Sequence, residues 1–149
     1  MMIRLSYDGR LTREDFPTGD IMNQNFEICR QIGNRCSIYE HVRPKRLYSE
    51  MECKCKPDPK RPGVAVSMLI DEEGWLKPNH VNVIASWLYE ADKHGNPIAG
   101  NVLFVGEQYD EDGDLSFCDI DDKEFLSLFG KLSTIAANNK AILERRIPI

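Results

Sequence analysis

The chain has 149 residues, 42% of them hydrophobic and 29% charged, a composition that excludes a disordered polypeptide. Its formal charge is −5, from 19 lysines and arginines against 24 aspartates and glutamates. No apolar run approaches the ~20 residues of a membrane span, so the sequence predicts a single domain, residues 1–149, that buries roughly two-thirds of its unfolded surface.

The N-terminal run alternates Ile3, Leu5 and Tyr7 and then meets Asp8-Gly9, which predicts a strand closed by a turn. A helix follows from about Asp20 to Ile32, with Asp20 as its cap and Gly33-Asn34 as its stop. Ile21, Asn25, Ile28 and Ile32 share one face of it, with Met22, Phe26 and Cys29 beside them. "CSIYEHV" predicts the next strand. Residues 44–62 hold Pro44, Pro57, Pro59 and Pro62, and proline removes ladder donors, so at least the second half of this stretch is a loop. "GVAVSMLIDEEG" is the clearest core strand, turning at Asp71–Gly74.

Residues 79–95 fit a strand face through Val81, Val83, Ala85, Trp87 and Tyr89, but Ile84 and Leu88 break that alternation and favour a short helix. "PIAGNVLFVGE" is a second strong strand and "DLSFCDI" its antiparallel return. A final helix begins at Asp121 or Asp122, with Phe125, Leu128, Phe129, Leu132 and Ile135 as its apolar stripe. Residues 138–149 form a tail that continues this helix, frays or docks. Few helices and several hairpins predict an α+β fold, a mostly antiparallel sheet with two or three helices on one face.

The five cysteines are an odd count, which argues against a disulfide framework. The N-terminus lacks the apolar core of a signal peptide, so the expected location is the cytoplasm, with no membrane partner. Cys29 and Cys118 read as small buried apolar residues. Cys53 and Cys55, with Cys36 and His41, carry zinc-type ligands at a spacing that zinc sites do not use. The adjacent lysines, Lys54 and Lys56, favour the thiolate instead.

Charge is unevenly spread. Residues 107–124 hold nine acids and one lysine, whereas residues 41–61 hold seven lysines and arginines and three acids. Asp110, Asp112 and Asp114 occupy the first, third and fifth places of a calcium loop. Leu115 stands where that loop needs glycine, and a strand precedes it where a helix is required. Asp112-Gly113 between two β-like runs reads as a hairpin tip. No metal or other cofactor is expected.

The sequence shows no nucleophile elbow and no glycine-rich phosphate loop, and His41, His80 and His94 assemble into no recognisable triad. An enzyme, built on Cys53, Cys55 or His41, is the least favoured class. The best candidate for binding is "HVRPKRLYSE". Arg43, Lys45 and Arg46 flank a stiffening proline, and Tyr39, His41 and Tyr48 are placed to stack on a ring or base. This rim suits an anionic ligand, either a nucleotide-type signal or nucleic acid. The rival is a protein–protein contact through Asp110, Asp112 and Asp114, by imitation of DNA.

The helix ending at Gly33, the strand running into Asp71–Gly74, Asn82, and the segments Pro97–Asn101 and Leu103–Gly106 carry a resemblance across residues 20–135. The chain resembles a family of small proteins of unknown function carried by phages, plasmids and other mobile elements. The resemblance implies a non-catalytic accessory protein that modulates host defence by binding a host protein, nucleic acid or a nucleotide signal. It assigns no site residues and leaves homo-oligomerisation open.

Overall fold

A computed structural model describes residues 1–139. The expected behaviour of the tail therefore lies almost wholly outside the described residues. The sheet is built from β1 (Met2–Leu5), β2 (Leu11–Glu14), β3 (Tyr39–Val42), β4 (Ala65–Asp71), β5 (Val102–Tyr109) and β6 (Leu115–Cys118). Its order is β2-β1-β5-β4-β3, and every pairing is antiparallel. β5 is long enough to take two partners in line along one edge. Its first half pairs with β1 (Ile3 opposite Phe104), and its second half pairs with β6 (Glu107 opposite Phe117). The amide of Ile120 donates to the carbonyl of Met1 at 3.0 Å and joins the two partners.

Helices α1 (Ile21–Ile32), α2 (Lys45–Ser49), α3 (Val83–Leu88), α4 (Ala91–His94) and α5 (Asp122–Asn138) complete the fold. The α+β class and the antiparallel sheet are those the sequence predicts; the placing of the helices differs. Alternation along β1, β4 and β5 gives each sheet face its own apolar set. Ile3, Leu5, Val66, Met68, Val102 and Phe104 pack with α2, α3 and α5. Met2, Leu69, Leu103 and Val105 pack with Ile28 and Ile32 of α1 on the opposite face. The helices thus lie on both faces rather than one, because β4 and β5 carry large apolar residues at odd and even positions alike.

Local chemistry sets the boundaries. Asp20 caps α1, its Oδ1 accepting from the Asn23 amide at 2.8 Å, and Gly33 ends it at φ +78°. Asp121 caps α5. Asn82 is buried and joins three elements at once. Its Nδ2 donates to the carbonyls of Leu5 (3.2 Å) and Gly100 (3.0 Å), and its Oδ1 accepts from the Ala85 amide at the start of α3. That cap settles the ambiguous stretch in favour of the short helix.

Two glycines permit one close crossing. A Cβ at Gly63 would sit 2.2 Å from the carbonyl oxygen of Asp119, and a Cβ at Gly106 would sit 2.3 Å from the same atom. The crossing lets Gly63 donate to the Glu107 carbonyl (3.0 Å) and accept from the Asp121 amide (2.8 Å), tying the proline-rich loop to the start of α5.

Candidate functional site

The structure divides the cationic rim. Tyr39, His41 and Arg43 point to the α1 side of the sheet, as strand alternation requires, whereas Arg46 turns to the opposite side against α3 and α4. Arg43 is not a free cation. Its guanidinium forms a two-pronged pair with Glu107, whose carboxylate has no exposed surface, while the Arg43 side chain remains 41% exposed. Arg46 donates to both carboxylate oxygens of Asp92, with Nη2–Oδ2 at 2.9 Å, and to the Trp87 carbonyl at 2.8 Å. Its guanidinium lies 5.1 Å from the centre of the Trp87 ring. The hydrogen bond to Arg46 holds the Asp92 carboxyl below its usual range.

The remaining rim residues are also committed or scattered. Tyr39 donates to Asn25 Oδ1 of α1 at 2.6 Å, and Tyr48 donates to the Val66 carbonyl at 2.8 Å. Burial pushes the Tyr48 hydroxyl well above the usual tyrosine range, with Glu107 adding to the rise. His41 meets the Phe117 ring edge-on at 5.0 Å, and its buried Nε2 has no hydrogen-bond partner. Its pKa is lowered, first by burial and then by Arg43, against the opposing pull of Glu107. Ser67, fully buried on the same face, likewise has an unpaired Oγ. Lys45 is exposed on α2. The six rim residues therefore do not converge on one open positive surface.

The acidic segment forms the hairpin that its Asp-Gly signal predicts. Asp110 organises the tip, its Oδ1 accepting from the amides of Asp112 and Asp114, both at 2.9 Å. The carboxylates of Asp110, Asp112 and Asp114 come within 4.8 Å of one another, and all three residues are exposed. Among the described residues, Cys36, His41, Cys53 and Cys55 form no comparable group. Cys53 is buried and its thiol is pushed up to about 12 by desolvation, so the flanking lysines do not activate it; Cys55 is exposed.

What sequence reasoning missed lies on α1. The sequence places Ile21, Met22 and Phe26 on or beside the buried face, yet they are 67%, 79% and 65% exposed, and nearby Ile38 is 51% exposed. Only Ile28, Cys29 and Ile32 of the helix are buried. Its outer and N-terminal side chains stay largely exposed. Met22 and Phe26 are one turn apart and form a ridge.

Three clefts surround that ridge. One of about 640 Å³ runs between α1 and the chain leaving β2, and Glu14, Asp15, Glu27, Arg30 and Asp119 line it. A second, about 230 Å³, lies between Ile21 of α1 and the hairpin residues Asp110, Leu115 and Phe117. The third, about 480 Å³, joins Phe26 and Cys29 to Cys36 and Ser37. The helix ridge and the acidic tip thus border a common surface. Among the described residues, no helix is long and apolar enough to cross a membrane. Comparison with protein-family models, with curated proteins and with solved structures returned no match.

Proposed function

We propose that the protein is a non-catalytic binding module that docks on another protein through the outer face of α1. The observation that carries this reading is the uncovered ridge of Met22 and Phe26, with Ile21 exposed at the start of the same helix. Large apolar side chains that project from an ordered helix beside clefts are the usual anchors of a protein contact. Burying Met22 and Phe26 in a partner contributes about 1.5–3 kcal/mol each. The β5–β6 tip borders the same surface, so the acidic hairpin acts as the rim of the contact and not as an independent site. With the resemblance to accessory proteins of mobile elements, the partner class we propose is a host protein, bound stoichiometrically.

Differential capture tests this. Wild type and the double variant Met22→Asp/Phe26→Asp are compared as baits under identical conditions, after their melting temperatures are shown to agree. A partner held in a one-to-one ratio by the wild type and lost by the variant supports the reading. Retention of that partner by the variant removes it.

A second reading, binding of an anionic ligand, is favoured by one observation. Lys56, Lys60 and Arg61 of the proline-rich loop are exposed and join none of the ion pairs among the described residues. A nucleic acid bound there would dissociate steeply with salt, and replacing all three with glutamine would abolish binding.

A further inference from the structure

Resting on the docking reading of α1, we infer that the occupant of this face is a cationic amphipathic segment of the partner protein. The argument is one of charge complementarity across a strip of defined order. Along the centre run Ile21, Met22 and Phe26, all largely exposed. On one flank the larger cleft presents four carboxylates, Glu14, Asp15, Glu27 and Asp119, against one guanidinium. Arg30 is spent on Glu27 at 2.7 Å, and Asp119 holds the N-terminal amine. Glu14 and Asp15 join no ion pair among the described residues.

At the N-terminal end of α1 stands the hairpin tip, where Asp110, Leu115 and Phe117 share a cleft with Ile21. Residues 110–114 hold four acids and no cation. None of the four enters an ion pair among the described residues, and the Asp110 hydrogen bonds come from uncharged amides. The face is therefore apolar along Met22 and Phe26, and anionic along one flank and at its N-terminal end. Its complement is a segment with an apolar stripe bordered by lysine or arginine, whose long stems lie along Met22 and Phe26 while their heads reach the carboxylates. Nucleic acid and acidic protein surfaces are repelled by both acidic groups.

The test uses the full chain and two dye-labelled synthetic helical peptides of the same apolar stripe, one leucine–lysine and one leucine–glutamate, read by fluorescence anisotropy. The lysine peptide is expected to bind and the glutamate peptide not. Asp110→Asn/Asp112→Asn/Asp114→Asn is expected to weaken binding about tenfold or more. A matched neutralisation elsewhere, Glu50→Gln/Glu52→Gln/Asp122→Asn, is expected to leave it unchanged. Met22→Asp/Phe26→Asp is expected to abolish it.

If both peptides bind equally and both are lost in the α1 variant, the docking face stands and the cationic occupant is overturned. If the lysine peptide binds regardless of Met22 and Phe26, and both neutralised variants weaken it alike, only a diffuse field remains and both inferences fall. Failure of the lysine peptide to bind overturns the cationic occupant and leaves the capture experiment to judge the docking face.

Discussion

Arg43 shows how a residue type that suggests ligand chemistry is absorbed by the fold. Its guanidinium neutralises a carboxylate that water does not reach. Arg43→Ala leaves Glu107 buried and unpaired, and urea unfolding is expected to show a loss of about 3 kcal/mol. Arg43→Met/Glu107→Leu, which removes both charges, is expected to recover most of it.

His41 gives a pH signature. Its pKa in the folded protein lies below the ordinary histidine value of about 6.5, so the unfolded chain takes up this proton first as the pH falls. The contribution of neutral His41 is complete above about 6.5 and is lost as the pH drops toward the lower folded value. Melting temperatures measured between neutral and mildly acidic pH are expected to fall along that branch in the wild type, and to fall less in His41→Phe. Among the thiols, burial first of all raises Cys36 and Cys53 to about 12 and Cys118 to about 11. Iodoacetamide at mildly alkaline pH is therefore expected to label exposed Cys55 well before these three, as peptide mass mapping would show.

At the scale of elements, Asn82 holds the end of β1, the turn before β5 and the start of α3 together through three hydrogen bonds. Asn82→Ala leaves two carbonyls and one amide unpaired in the interior, and is expected to cost about 3 kcal/mol in denaturant unfolding. Asn82→Asp, which cannot donate, is expected to cost at least as much.

The elements themselves were largely legible. Asp20, Gly33 and Asp121 mark helix ends through backbone chemistry that acts within a few residues, and the alternation of β4 and the Asp-Gly turn after β5 are equally local. β2 was not found, because Leu11–Glu14 carries one apolar residue and owes its strand to the ladder with β1. The fate of Met22 and Phe26 was hidden for a related reason. Amphipathic spacing announces which side of a helix is apolar, but the elements that pack around it, brought there by pairings distant in sequence, decide how much of that side is covered. Arg43 and Glu107, far apart in the chain, meet only because β3, β4 and β5 lie side by side, so a charge count along the sequence could not pair them.

At the scale of the whole molecule, the sheet order predicts a gradient of protection. β5 is central, bonded to β4 on one side and to β1 and β6 on the other, whereas β2 and β3 are edges. Native-state hydrogen exchange is expected to leave the β5 and β4 amides last and to release those of β2 first. The two faces are also unequal. Among the described residues, one is sealed by α2, α3 and α5, and the other carries α1 alone. The crossing of Gly63 and Gly106 under the Asp119 carbonyl bears on how kinship could be traced. Most surface charges of this chain can be exchanged without disturbing the backbone. A single added carbon at either glycine would collide with main-chain oxygen, which no rotamer can relieve. A distant cousin sharing this path would therefore betray itself by two hydrogens where side chains should be, long after its ridge and its acidic rim had drifted to suit another target.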